Sequence, residues 1–331
     1  MATSPSSAWL RQTYEEALEH ELPICDTHHH FWDHGEGDRY LVPELLEDMA
    51  GGHNVVATVF VECNSGYRKD GPEALKPVGE TEFVASMVRD ADPRAAAGIV
   101  GYADLLLGGA VVPVLEAHLA ASPDRFRGIR YWTTWDEHPK EVQLRTVAPK
   151  GLVYDGKFRE GFACLERYGL SYDAWMLFPQ LPEAADLARA FPGITIILGH
   201  IGGLVGVGPY SNRDEVLERW KRNVAEVAKC PNVVMKIGGI GLQRLGFGWH
   251  ERDKPTSSGE LAQAFAPYCM HCIEQFGPER CMFESNFPVD KASASYNAVW
   301  NAFKRLTEKL NSAERSALFH DTAARVYRLD R

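Results

Sequence analysis

The stretch Asp26-Thr27-His28-His29-His30 places two imidazoles, His28 and His30, two positions apart. Side chains of an extended strand alternate between its faces, so Asp26, His28 and His30 are expected on one face and His29 on the other. A pair of inward imidazoles can bind a divalent metal ion, or manage protons and a developing oxyanion. A single histidine would read as a polar strand end, whereas the paired spacing favours chemistry. A third imidazole, His200, stands in Leu198-Gly199-His200-Ile201-Gly202-Gly203, where an apolar run gives way to a glycine-rich loop. It is expected to join His28 and His30 across one cavity mouth.

In Gly128-Ile129-Arg130-Tyr131-Trp132, alternation puts Arg130 and Trp132 on one face. An inward Arg130 offers a fork of donors suited to a substrate carboxylate. An internal ion pair with Glu62 or Glu284 is the alternative. In the stretch 282–290, Met282, Glu284 and Asn286 alternate together. A carboxylate buried below a strand end needs a partner, and Lys236 is a candidate for Glu284, as the alternative to a catalytic role. Lys236, Glu62 and Trp132 are also candidates to touch substrate. Asp290 is expected to be a solvated or helix-capping loop residue. Gln180, closing Phe178-Pro179-Gln180, either orients substrate or starts a helix. Cys269-Met270-His271-Cys272 has zinc or redox spacing but falls in a helix-like stretch without a second such pair, so buried thiols are expected.

These residues lie at the ends of short apolar runs that alternate with helix-like segments. The runs are 22–27, 55–61, 96–102, 126–132, 170–178, 194–198, 233–237 and 281–285. Near-continuous apolar character is what strands buried on both faces show. Strands alternating with helices imply right-handed βαβ units. Eight such units favour an α/β fold of one closed (β/α)8 TIM-like barrel spanning 22–331, with a short N-terminal helical extension over 1–21 whose Trp9, Tyr14 and Leu18 share an apolar face. The rival, a doubly wound open sheet, would want a Gly-x-Gly-x-x-Gly loop after the first strand, and none is there. Three long connections, 64–79, 133–151 and 238–258, leave carboxyl ends of strands, where barrel active sites sit.

The chain has 331 residues, 45% of them hydrophobic and 24% charged, with a formal charge of −10. That balance argues against nucleic acid and anionic membrane as partners. Seven scattered cysteines do not form a disulfide framework. The polar start and the absence of a long apolar stretch give a cytoplasmic expectation. The partner expected is a small, anionic substrate molecule, with self-assembly into a homo-oligomer left open.

Together the motifs resemble the amidohydrolase superfamily, more narrowly the branch with 2-pyrone-4,6-dicarboxylate lactonase and fuconolactonase. The likeness runs from Ile24-Cys25-Asp26-Thr27-His28-His29-His30-Phe31-Trp32-Asp33 through Gly199-His200-Ile201-Gly202-Gly203 to Asp321-Thr322-Ala323-Ala324-Arg325-Val326-Tyr327. It implies the barrel, a hydrolase acting on a lactone or ester C–O bond, and His28, His30 and His200 in the site. One divalent metal ion, Zn2+ or Mn2+, is implied as weakly held or absent, with those three histidines as its ligands. The chain departs from the branch at Ser285-Asn286-Phe287-Pro288, where an Asp usually serves as general base or metal ligand, and on the fifth strand, which lacks a His or modified Lys. The expected activity is hydrolysis of a small carboxylated lactone. The histidines would polarise the carbonyl, Arg130 would bind a carboxylate, Asn286 would hold water or substrate, and Glu284 or Glu62 would handle the proton. A metal-assisted non-oxidative decarboxylase and an inactive barrel kept as a binding protein are the alternatives.

Overall fold

The computed structural model describes residues 7–35 and 37–329. Eight parallel strands pair in chain order: β1 Pro23–His29, β2 Asn54–Val61, β3 Gly98–Gly101, β4 Phe126–Trp132, β5 Ser171–Trp175, β6 Ile196–Leu198, β7 Val233–Ile237 and β8 Cys281–Phe283. Helices connect them on the outside, so the doubly wound alternative falls and the barrel stands. Cys25, Val59, Val61, Val100, Ile197, Val234 and Met282 fill the interior together with Ala323, Val326 and Tyr327 of the last helix, Thr322–Tyr327. That helix plugs the amino end of the barrel, leaving the carboxyl end for function.

The outer layer follows ordinary helical rules. The helix Ser258–Phe276 starts with a capping box, Ser257 with Glu260, and buries Leu261, Phe265, Cys269, Cys272, Ile273 and Phe276 along one stripe. Cys269 and Cys272 are thus core thiols, as their helical setting implied. Among the described residues no helix is long and apolar enough to cross a membrane. Of the extension 1–21, residues 1–6 lie outside the described residues. The remainder has only a turn of helix, Ser7–Leu10, and a 3-10 turn, Arg11–Thr13. Tyr14 is 70% exposed, so the apolar face expected of Trp9, Tyr14 and Leu18 does not form. The chain is instead fastened by polar contacts: Leu18 N donates to Asn301 Oδ1 at 2.8 Å and Asn301 Nδ2 donates to Glu16 O at 2.8 Å.

The seam between β1 and β8 positions the site. Thr27 Oγ1 donates to Phe283 O at 2.8 Å, Asn286 N to His28 O at 2.9 Å, and His30 N to Phe287 O at 2.8 Å. The register of β1 against β2 slips between Asp26 and His29. This bulge resets the alternation. Cys25 faces the interior, while Asp26 turns outward and accepts from Tyr296 OH at 2.9 Å and Ser285 N at 2.9 Å. Beyond the bulge His28 points in, and His29 points out against Phe31 and Thr58. Asp26 therefore does not share the face of His28 and His30, contrary to simple alternation.

Candidate active site

Three imidazoles and a carboxylate meet at the carboxyl mouth. His28 and His30 arrive from the end of β1, His200 from the turn after β6, and Glu284 from just past β8. The His28 ring centroid lies 4.8 Å from that of His30 and 4.7 Å from that of His200. Glu284, fully buried, accepts from His200 Nδ1 at 2.6 Å and from His200 N at 2.9 Å. Its other oxygen lies 3.0 Å from His28 Nδ1, off the hydrogen-bond angle. His200 can offer ring and backbone to one oxygen because its φ is 52°, in the left-handed region that costs a non-glycine residue about 1 kcal/mol or more. Gly239 (φ 64°) leaves room for this, since a Cβ there would stand 2.8 Å from His200 Nδ1.

Burial alone would push the Glu284 carboxyl up, but the charges and hydrogen bonds of His200 and His28 outweigh it and hold it well below its usual range. Burial pulls His28 and His30 well below the usual imidazole range, with the Glu284 charge opposing it at His28 and the Arg130 charge adding to it at His30. His30 Nδ1 donates to Val61 O at 2.7 Å, which leaves Nε2 as a lone pair. A proton on His28 Nδ1, facing Glu284, leaves its Nε2 as a lone pair too. These two Nε2 atoms lie 3.2 Å apart. Two nitrogens on one tetrahedral ion with Zn–N bonds of about 2.05 Å stand about 3.3 Å apart. Ligand atoms of His28, His200 and Glu284 also lie within 4.8 Å of one another. The facing nitrogens of His28 and His30 fit a divalent ion, while Glu284 lies on the Nδ1 side of His28 and His200, a carboxylate beside the histidines where three histidines alone were expected.

Arg130 is tied down rather than free. Nε donates to Glu62 Oε1 at 2.7 Å and Nη2 to Glu62 O, while Nη1 stands 3.5 Å from His28 Nε2. Trp132 Nε1 donates to the same Glu62 oxygen. The alternative pairing of Glu284 with Lys236 does not form: Lys236 Nζ donates to Asp173 Oδ1 at 2.7 Å, and Tyr327 OH donates to that oxygen at 2.9 Å. Lys236 is fully buried in this arrangement, below the histidines. Gln180 is occupied by the main chain. It takes Leu177 N at 3.2 Å and Trp135 N at 3.0 Å and donates to Thr133 O at 2.8 Å, so it stitches the loops after β4 and β5. Asp290 is fully buried rather than solvated, accepting from Asn286 Nδ2 at 2.7 Å and Gly241 N at 2.7 Å, and burial pushes it up to about 8.

Sequence reasoning missed Asp173 and Trp175. Asp173 had a signal, an acid alternating with Ser171 and Trp175 in a buried strand. Trp175 stands edge-on to His200, ring centroids 4.9 Å apart, and walls the mouth beside it.

The family model described as Amidohydrolase matches residues 25–329. The chain belongs to the amidohydrolase family. Among its relatives is the uncharacterized protein y4mH of Sinorhizobium fredii, 34% identical over 93% of this chain and 99% of that one. An L-fucono-1,5-lactonase of Burkholderia multivorans is 28% identical over 92% of this chain and 95% of its own length. A crystal structure of an amidohydrolase from Burkholderia multivorans with bound zinc superposes with a TM-score of 0.73 at 26% identity, covering 92% of this amidohydrolase and 99% of that chain. The barrel and the membership inferred from the histidine motifs are both supported by these matches.

Proposed function

We propose that this amidohydrolase is a lactonase, cleaving the ring C–O bond of a small sugar-acid-like lactone. The observation that carries the reading is the Glu284–His200 pair beside His28 and His30. With Nδ1–H given to Glu284, the His200 Nε2 lone pair is free to take a proton. Glu284 sits behind that imidazole, orients it and stabilises the imidazolium that forms, so the proton acceptor is His200 and Glu284 is its support. The likeness to an L-fucono-1,5-lactonase favours hydrolysis over decarboxylation, and the intact ionisable cluster argues against an inactive barrel.

In the proposed reaction the lactone lies at the barrel mouth among His28, His30 and His200. Water gives a proton to His200 Nε2 as its oxygen bonds to the carbonyl carbon. The tetrahedral adduct collapses with cleavage of the ring C–O bond, and His200 returns the proton to the leaving alkoxide, giving a hydroxy acid. Asn286 has its amide nitrogen committed to Asp290, so it turns its carbonyl oxygen, an acceptor, towards water or a substrate hydroxyl. Arg130 and Trp132 hold Glu62 and brace the wall beside His28. His28 and His30, through their facing Nε2 atoms, would hold a divalent ion, Zn2+ or Mn2+, which when bound would supply Lewis acidity at the carbonyl, with His200 and Glu284 left to the proton. The test is acid release, followed with a pH indicator, from a panel of aldonolactones. Turnover that His200→Ala abolishes is expected. Release of CO2 from unsaturated or aromatic acids with no lactone hydrolysis would overturn the reading.

A further inference from the structure

A cavity of about 420 Å³, the size of a small-molecule site, lies between the N-terminal segment, the hairpin of Trp32–Asp33 with Arg39–Tyr40, the helix Val42–Met49 and the start of the helix Tyr296–Leu306. Neither Glu284 nor His28, His30 or His200 lines it, so the proposed hydrolysis does not use it. Leu10, Tyr14, Tyr40 and Pro288 give it apolar wall, and Tyr14 is left 70% exposed beside it.

Its charges sort into matched and unmatched ones. On the inner wall Asp48 accepts from Tyr40 OH at 2.8 Å and from Lys291 Nζ at 3.0 Å. Glu44 accepts from Leu41 N at 2.8 Å and faces Arg39 Nε at 3.3 Å. Two exposed groups on different elements remain, Arg11 on the N-terminal segment and Glu47 on the helix Val42–Met49. Among the described residues neither has an ion-pair partner, so they do not pair with each other. An anionic ligand would leave Glu47 facing it, and a cationic ligand would leave Arg11. A ligand with one carboxylate and one ammonium answers both, and the terminal nitrogens of Arg39, not used by Glu44, add donors for the carboxylate.

The cavity also touches the elements that carry the active site. Tyr296, in its wall, donates its hydroxyl to Asp26 Oδ2 at 2.9 Å. The other oxygen of Asp26 takes Ser285 N at 2.9 Å and His28 N at 3.3 Å. Lys291 follows Asp290, which accepts from Asn286 Nδ2 at 2.7 Å. Trp32, the cross-strand partner of Tyr40, stacks on His30, ring centroids 5.9 Å apart.

We infer that this cavity is a second ligand site, that it takes a zwitterion of the amino-acid type with an apolar side chain, and that filling it stiffens the β1–β8 seam.

The experiment uses L-phenylalanine as the probe, with phenylalaninamide and N-acetylphenylalanine to remove the carboxylate and the ammonium in turn. Binding is followed by calorimetry on the wild-type protein, R11Q, E47Q and H200A. An exposed ion pair is worth roughly twofold to fivefold in affinity. Wild type is expected to bind phenylalanine more tightly than either analogue by about that factor. R11Q should erase the difference from the amide, E47Q should erase the difference from the N-acetyl form, and H200A should bind all three as wild type does. Backbone hydrogen exchange over 26–33 and 284–290 should slow when the probe binds. No saturable binding up to about 10 mM, equal affinity for the three ligands, unaltered selectivity in R11Q and E47Q, or loss of binding in H200A would overturn the second site. Binding with unchanged exchange along the seam would overturn the stiffening. None of these readouts depends on turnover, so they stand apart from the lactonase reading.

Discussion

Replacing Glu284 by Gln isolates the role of the carboxylate. In the native site one oxygen receives His200 Nδ1 at 2.6 Å and His200 N at 2.9 Å, and the other faces His28 Nδ1 at 3.0 Å. A Gln of the same volume can present its oxygen to His200 but then turns an NH2 towards His28, which must give up its Nδ1 proton to accept. The charge-assisted bonds become neutral ones, a loss of about 1 kcal/mol each, or roughly 2–3 kcal/mol together before the relief of removing a buried charge. No ammonium is stranded, because Lys236 is held by Asp173 and not by Glu284. Unfolding entropy of about 2.1 cal/mol/K per residue makes roughly 0.7 kcal/mol/K for 331 residues, so the melting temperature should fall by only about 3–4 °C. Activity should fall far more, roughly 10²- to 10⁴-fold in kcat, since the imidazolium formed on proton uptake loses its support and the tautomer is no longer fixed. Circular-dichroism melts and lactone kinetics on the same preparation test both numbers. Wild-type kcat in a folded E284Q protein would refute the orienting role, and a collapse of the fold would refute the claim that Lys236 is independently satisfied.

Asn286→Asp puts a second carboxylate 2.7 Å from Asp290, itself already pushed up to about 8 by burial. The pair must share a proton, so the folded state holds that proton more tightly and loses stability as pH rises through neutrality. The variant should fall increasingly below wild type as pH rises above about 8, where wild-type Asp290 gives up its proton, and Asn286→Asp with Asp290→Asn should recover most of the difference by reversing the hydrogen bond. Equal melting at all pH values would show that Asp290 is not the partner that matters. Arg130→Lys cannot satisfy both Glu62 Oε1 and Glu62 O from one ammonium, so stability should drop by about 1–3 kcal/mol while KM stays within a small factor. An unchanged melt with a large rise in KM would make Arg130 the substrate ligand after all. Glu80 uses Oε1 to accept Cys63 N and Ser65 N, both at 2.8 Å, while burial and then the Glu62 charge push it up to about 8. Its folded value is raised, so the stability it contributes is full below about pH 4 and lost as pH rises through 8. Glu80→Gln keeps the acceptor and removes the ionisation, and its melting temperature should gain on wild type between pH 6 and pH 9. Parallel melts would show that Glu80 is not protonated in the fold.

The barrel was legible because strands buried on both faces have to be apolar, so eight apolar runs mark eight strands and polar residues inside them stand out. His28, His30, His200 and Glu284 were found in that way. What was not legible depends on contacts between strands distant in sequence. The pairing of Lys236 with Asp173 crosses from β7 to β5, and nothing along the chain ranks it above a pairing with Glu284. The bulge between Asp26 and His29 is one unpaired step in the ladder of β1 with β2. No residue type signals it, yet it alone decides that Asp26 leaves the face of His28. Whether Arg130 meets a substrate or Glu62 is likewise a matter of reach across the mouth, which periodicity does not contain.

The same geometry explains how the site stands with an amide at position 286. Asn286 adopts φ 56° and commits its amide nitrogen to Asp290, so it cannot serve as a base and is not arranged to be one. The negative charge enters two residues earlier, on the longer side chain of Glu284. From there it reaches backbone and ring of His200 only because His200 also takes a left-handed conformation, with Gly239 making room. These are departures from relaxed backbone or from the usual residue, and they converge on one hydrogen-bonded imidazole. Strain of this kind persists where the surrounding structure over-determines it, and here the surroundings are Asp290, Gly239 and the closed β1–β8 seam. Moving the carboxylate from 284 back to 286 would therefore undo the conformation of His200 and the Asn286–Asp290 hydrogen bond together, so the two positions act as one unit.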